Sequence, residues 1–227
     1  FVDIESSTGN ICVQALEAKL AKAEREGRLP KIVVPVHFGG QPCDMAQIHE
    51  LSLRYGFKVI EDASHAIGAT YLGEPVGNCR YSDITVFSFH PVKIITSGEG
   101  GICVTNDGAL AERMRRLRSH GITRDANEMT HAPDGPWYYQ QLELGYNYRL
   151  TDLQAALGLS QLGKLERFLE RRAALADLLE PRGNDDGAFH ARGHDVPALV
   201  KVDLARWRVV DRAAVDPFTV GLAVSPD

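Results

Sequence analysis

One lysine stands in the stretch Ser88-Phe89-His90-Pro91-Val92-Lys93-Ile94-Ile95-Thr96-Ser97-Gly98-Glu99-Gly100-Gly101. Its neighbours Val92, Ile94 and Ile95 are aliphatic. An ammonium in aliphatic surroundings loses hydration, which favours the neutral, nucleophilic amine. Ser88 and the backbone around Gly98 to Gly101 offer donors suited to a phosphate. Lys93 is therefore a candidate covalent nucleophile, and Ser88 a candidate phosphate ligand. Alone, a lysine beside a Gly-rich turn reads more readily as a surface residue.

A second chemical element is Glu61-Asp62-Ala63-Ser64-His65-Ala66. A carboxylate at a strand end can pair with a protonated pyridine nitrogen, and that pair keeps the ring an electron sink for a carbanion. Asp62 has the type and place for this. His65, three residues on, can reach a ring hydroxyl or the ring face. The plainer reading of the same residues is a capping Asp followed by a satisfied histidine.

The elements around these residues must place them. Ile32-Val33-Val34-Pro35-Val36 is a β-branched run that reads as a buried strand. Residues 44–55 carry Met45, Ile48, Leu51 and Leu53 near helical spacing, with Gly56 as the stop. Phe57-Lys58-Val59-Ile60 reads as a strand ending at Glu61-Asp62. Residues 84–89 and 101–105 read as further strands, and residues 110–120 as a helix ended by Gly121. Alternating strands and helices predict an α/β fold, a parallel or mixed sheet with helices on its faces. In such sheets ligands sit at the carboxyl ends of strands, and both Asp62 and Lys93 follow strand ends.

Residues 122–148 read as a loop, punctuated by Asn127, Pro133, Asp134, Gly135 and Pro136. Leu150, Leu153, Ala156, Leu157, Leu162, Leu165 and Leu169 then recur at helical spacing. Thr151 is a plausible N-cap, with Gln154 completing a capping box. One helix from there to residue 180 would be about 45 Å long, a length that usually bridges domains or subunits. Residues 181–227 show weak periodicity and no motif. His190 and His194 share a helical spacing, but no third metal ligand is obvious and surface histidines are favoured.

The whole chain sets bounds. Its 227 residues are 44% hydrophobic and 24% charged, with a formal net charge of -5, the make-up of an ordinary globular protein of one domain or slightly more. Arg113 to Arg118 is locally basic, yet reads as a solvated helix face, so no nucleic-acid partner is expected. Cys12, Cys43, Cys79 and Cys103 form no CxxC pair, which suits reduced thiols in the cytoplasm. No apolar run approaches the roughly 18 residues that span a membrane, so no membrane partner is expected. No signal peptide is visible, and the missing initiator Met hints that the true N-terminus lies upstream.

Taken in order, Glu-Asp-Ala-Ser-His-Ala, then Ser-Phe-His-Pro-Val-Lys, then Gly-Glu-Gly-Gly resembles the DegT/StrS-type sugar aminotransferases. Leu144-Gly145-Tyr146-Asn147-Tyr148-Arg149-Leu150 resembles that family's Gly-x-Asn-x-Arg-Leu/Met signature before its long helix, and Pro35-Val36-His37-Phe38 fits more loosely. The resemblance runs over about residues 1–180. It implies the PLP-transferase fold type I, aspartate aminotransferase-like and here incomplete. Residues 1–125 would be part of the large domain that binds pyridoxal 5'-phosphate (PLP), and 126–180 the loop and long helix. Residues 181–227 do not match the family's small domain.

The resemblance also implies roles and partners. Lys93 would hold PLP covalently and later shuttle a proton. Asp62 would pair with the pyridine nitrogen and His65, where many relatives have Gln, would contact the ring hydroxyl. Ser88 would bind the phosphate, Asn147 would reach it from the neighbouring subunit of a homodimer, and Arg149 would help with either ligand. The reaction would move an amino group from an amino acid, glutamate in most of the family, to a nucleotide-linked 4-keto-6-deoxy sugar. Some relatives are PLP-dependent sugar dehydratases with histidine in place of the lysine, and Lys93 argues against that activity. The family's upstream Gly-Ser/Thr-Ala/Thr phosphate turn is not in this chain. A truncated member, or a non-catalytic relative that serves as a dimer partner, is therefore the remaining reading.

Overall fold

The computed structural model describes residues 1–179, 198–203 and 208–214. The chain divides into one compact unit over residues 1–169 and a second from residue 170 onward. The first begins with helix α1 (Val13–Arg25), whose Val13, Leu16 and Leu20 form one buried stripe. Strand β1 (Ile32–Val33) follows, then helix α2 (Met45–Tyr55) and strand β2 (Lys58–Asp62). Asp44 caps α2 by accepting from the Gln47 N–H. Gly56 ends it in the left-handed region at φ 77°, where a residue without Cβ costs least. Strands β3 (Thr70–Tyr71) and β4 (Glu74–Pro75) make a small hairpin. Strands β5 (Ile84–Ser88) and β6 (Gly101–Val104) precede helix α3 (Gly108–Arg118), which Asp107 caps.

Four of these strands form one sheet in the order β1-β2-β5-β6. The first three run parallel, and β6 returns antiparallel on β5, a mixed, mostly parallel sheet as the sequence implies. Beyond β1, Val36 still bridges to Asp62, so the pairing on β2 extends to the strand's last residue. The principal core lies between α1, α2 and one face of the sheet. It comprises Leu16, Leu20, Val33, Met45, Ile48, Leu51, Tyr55, Phe57 and Val59. Burying each large aliphatic or aromatic side chain fully is worth about 1.5–3 kcal/mol. A second cluster of Ala63, Ala66 and Phe87 packs under the hairpin, with Ile67, Ala69 and Val76 against it.

Two expectations for the later chain need correction. The stretch read as loop holds strands β7 (Ile122–Thr123) and β8 (Gln140–Gln141), paired antiparallel, and a short 3-10 turn at Ala126–Glu128. The helix read as one piece from Thr151 to residue 180 is two, α4 (Asp152–Leu162) and α5 (Leu165–Leu179). Gly163 caps the first, and a glycine costs a helix about 1 kcal/mol relative to alanine. The capping box between Thr151 and Gln154 is present in full. In the second unit, β9 (Ala198–Asp203) and β10 (Arg208–Ala214) pair antiparallel, with an irregularity between Val209 and Asp211. His190 and His194 lie outside the described residues. Among the described residues no helix is long and apolar enough to cross a membrane.

Candidate active site

Successive side chains of a strand point to opposite faces of the sheet. In β2 the buried positions are Val59 and Glu61, and in β5 they are Thr85 and Phe87. The register sets Glu61 opposite Thr85, and Asp62 opposite Val86. Ser88, two residues beyond Val86, therefore shares a sheet face with Asp62. Glu61 and Thr85 share the other. The sheet thus sorts adjacent residues Glu61 and Asp62 to different tasks.

On the face they share with the core, Glu61 and Thr85 belong to a buried polar network. His37 Nε2 lies 2.8 Å from Glu61 Oε2, and the Thr85 hydroxyl donates to Glu61 Oε1 at 3.0 Å. Ser82 donates to the same Oε1. His37 Nδ1 accepts the Cys43 N–H at 3.2 Å, which leaves Nε2 as the protonated nitrogen that donates to Glu61. His37 and Thr85 are fully buried and Glu61 is 5% exposed. Burial would raise the Glu61 carboxyl, but the hydrogen bonds from His37, Ser82 and Thr85 outweigh it and hold the group below its ordinary value. Burial pushes the Cys43 thiol up to about 11, so it is no nucleophile at neutral pH.

The opposite face carries Asp62 and Ser88, two of the groups read from the sequence. The Asp62 backbone is held on both sides: its N–H donates to Pro35 O at 2.9 Å, and its carbonyl accepts the His37 N–H at 3.0 Å. Asp62 Oδ1 accepts the Ser64 N–H at 3.1 Å and the Ser64 hydroxyl at 2.6 Å. Oδ2 has no hydrogen-bond partner among the described residues. Ser88, half-buried, accepts the His90 N–H at 3.4 Å, and its own hydroxyl proton has no acceptor among the described residues. His90 to Lys93 form a tight turn, closed by the Lys93 N–H on His90 O at 2.9 Å. Pro91 sits at its second position, where its fixed φ suits the turn. The half-buried Lys93 amine has no hydrogen-bond or ion-pair partner among the described residues.

The aliphatic shell expected around Lys93 is only partial. Ile95 is buried at 2% exposure, whereas Val92 is 71% exposed. The reason is the turn itself, which sends consecutive side chains in different directions. His65 is exposed in the turn after β2, with its ring centroid 6.5 Å from that of Phe38. Asp62 and Ser88 thus end neighbouring strands β2 and β5 at their carboxyl edge, and His65 and Lys93 lie in the turns that follow them. Asn147 lies further along the chain, bridged to Ser119. Its segment is pinned to the end of α3, with the Tyr146 N–H on Leu117 O at 2.7 Å and the Tyr148 N–H on Arg118 O at 3.0 Å. Asn147 and Arg149 are both exposed. A surface cleft of about 580 Å³, lined by Leu16, Ile32, Val34 and Val36 among others, borders none of these residues.

The donor set fits a phosphorylated pyridine aldehyde such as PLP. A carboxylate oxygen without a partner suits a protonated ring nitrogen, a hydroxyl with an unused proton suits a phosphate, and an unpaired amine suits a carbonyl. The sequence reading missed the network behind this edge. Its signal was Glu61 itself, an acid at a buried phase of the strand, together with His37 directly after Pro35-Val36.

Comparison with known proteins bears on the same region. A model of the DegT/DnrJ/EryC1/StrS aminotransferase family matches residues 1–185. The chain is 41% identical over 180 residues to a UDP-4-amino-4,6-dideoxy-N-acetyl-beta-L-altrosamine transaminase of Campylobacter jejuni, covering 79% of this chain and 44% of the relative. Among solved structures it is similar to Helicobacter pylori PseC, an aminotransferase involved in the biosynthesis of pseudoaminic acid. That match has a TM-score of 0.68 and 32% identity, and covers 78% of this chain and 43% of that one. It is also similar to Spr1654 of Streptococcus pneumoniae, solved in a PLP form, with a TM-score of 0.62 and 28% identity over 78% of this chain and 45% of that one. The chain thus spans about half the length of the relatives it matches.

Proposed function

The chain belongs to the DegT/DnrJ/EryC1/StrS aminotransferase family, and from that premise we propose that it carries the PLP-binding part of an aminotransferase acting on a nucleotide-linked 4-keto-6-deoxy sugar, with an amino acid, glutamate by resemblance, as donor. What supports this reading is that Asp62 and Ser88 end the parallel neighbours β2 and β5 on one sheet face, with Lys93, whose amine has no partner among the described residues, in the turn that follows β5. The name of the Campylobacter relative supports the sugar class, and the PLP form of Spr1654 supports the cofactor.

When bound, PLP supplies an electron sink for the carbanion left as an amino acid loses its α-proton. The chain supplies the rest. Lys93 Nζ holds the cofactor between turnovers; once displaced, it accepts that α-proton and returns it at the next stage, help worth typically 10²–10⁴-fold. Asp62 Oδ2 would pair with the protonated nitrogen of the ring, while Ser64 fixes Oδ1 and so the angle of the carboxylate. The Ser88 hydroxyl would donate to the phosphate, and His65 would contact the ring hydroxyl. Asn147 completes the phosphate site of a second copy in a homodimer, and Arg149 serves either ligand. Residues 1–125 form part of the large domain in this reading, residues 126–180 connect it onward, and residues 181–227 receive no role.

The test is chemical. The chain is incubated with PLP, reduced with borohydride, digested and mapped by mass spectrometry. A PLP-bearing Lys93 peptide is the expected product, with conversion of a UDP-linked keto sugar to the amino sugar when glutamate is supplied. Modification confined to other lysines would refute the assignment.

A further inference from the structure

Asp62 needs more than a strand to hold it, because it is the last residue of β2 and the chain turns at once through Ala63 to His65. The main chain of Asp62 is gripped from the 35–43 segment, through Pro35 O and the His37 N–H. That segment is in turn locked from beneath. His37 Nε2 donates to Glu61 Oε2 at 2.8 Å, and the Cys43 N–H donates to His37 Nδ1 at 3.2 Å. The Cys43 thiol donates to Val36 O at 3.2 Å. The same segment presses on the far side of the turn. Gly40 sits at φ 89°, and a Cβ there would lie 2.8 Å from His65 O. One buried imidazole therefore ties together three things: the acid next to Asp62, the backbone on both sides of Asp62, and the segment that meets His65.

We propose that the buried His37–Glu61 pair is a positioning device that sets the backbone and carboxylate of Asp62, and the turn to His65, from behind the sheet. The part concerning Asp62's work on a cofactor rests on the function proposed above; the part concerning the turn does not. His37 and Glu61 touch no reacting atom in this scheme. Their effect passes through the hydrogen bonds of Pro35, His37 and Asp62. A misplacement of about 1 Å at a group that orients a reaction can cost on the order of 10²-fold.

The experiment compares His37→Ala, His37→Gln and Asp62→Asn in the full chain. The first readout needs no cofactor: amide hydrogen exchange at Asp62 and Ser64, with the α2 amides as internal reference. His37→Ala should speed exchange at these two amides by about tenfold or more while α2 is unchanged. His37→Gln, whose amide can serve both Glu61 and the Cys43 N–H, should restore it. The second readout is PLP affinity and the pH dependence of the bound chromophore's absorbance, which His37→Ala should shift in the same direction as Asp62→Asn. If exchange at Asp62 and Ser64 stays as in the parent, the positioning role is overturned. If exchange rises but Asp62→Asn alters neither affinity nor absorbance, the positioning of the turn stands and the cofactor role of Asp62 falls. Should His37→Ala fail to fold, Glu61→Gln keeps the side-chain volume, weakens the same pair and is read by the same criteria.

Discussion

Replacing Thr85 by Val removes one hydroxyl from the most buried part of the molecule and leaves the shape nearly unchanged. Thr85 is fully buried, and its hydroxyl donates to Glu61 Oε1 at 3.0 Å. A hydrogen bond to a charged group is worth about 1.5–3 kcal/mol, so Thr85→Val should cost that much at pH 7. In a chain of this size each kcal/mol moves Tm by about 2–4 °C, which gives a fall of roughly 3–12 °C. The pH dependence identifies the cause. The Glu61 carboxyl lies below its ordinary 4.5 in the folded chain, so its stabilisation is present above the unfolded value and is lost as pH falls through the lower folded one. In Thr85→Val, burial meets fewer opposing hydrogen bonds, and the folded value rises towards or past the ordinary one. The penalty should therefore be full at pH 7 and shrink below about pH 4. Urea titrations followed by circular dichroism at pH 7 and at the lowest pH where the parent stays folded would measure it. An equal penalty at both pH values would refute the role of the Glu61 charge and leave only a packing effect.

Further expectations follow from the same geometry. Lys93→Ala should abolish the borohydride-fixed PLP adduct and lower transamination by at least about 10²–10⁴-fold without changing the circular dichroism spectrum. Asp62→Asn should leave the adduct on Lys93 but slow turnover by about 10²-fold, read as kcat under saturating substrates. Gly40→Ala forces a Cβ to within 2.8 Å of His65 O at φ 89°; it should cost at least about 1–2 kcal/mol in urea titrations and weaken PLP binding, seen by fluorescence. Mixing inactive Lys93→Ala chains with inactive Asn147→Ala chains should restore part of the activity if Asn147 acts across a dimer. A mixture with proven heterodimers that stays inactive would put Asn147 out of that role.

How far the sequence foretold this arrangement depended on the kind of signal each residue carried. The apolar runs read as strands, one ending at Glu61-Asp62 and one over residues 84–89, are strands β2 and β5, side by side and parallel, the second ending one residue earlier at Ser88. The cap signals at Gly56 and Thr151 work locally, through hydrogen bonds within a few residues, and both are realised. Signals that depend on tertiary placement carried less. Helix α1 has only Val13, Leu16 and Leu20 as buried anchors among Ala, Lys and Glu, a sparse stripe to read. The leucine spacing continued through Gly163 as if no break stood there, because periodicity does not register the cost of a glycine in a helix. The aliphatic neighbours of Lys93 looked like a pocket in one dimension, but the turn at Pro91 sends Val92 into solvent.

The pair Glu61-Asp62 shows where the limit lies. Two acids in succession at a strand end must point to opposite faces, so one of them is turned towards the core. A buried carboxylate without partners is costly by several kcal/mol. The chain must therefore bring donors to it, and it does so from far apart in sequence: His37, Ser82 and Thr85. Which acid goes inward is set by the register against β5, a fact of pairing that neither residue announces. Once the register is known, the outward acid is the one with an oxygen to spare. The inward acid, satisfied on both oxygens, has become part of the support that holds its neighbour in place.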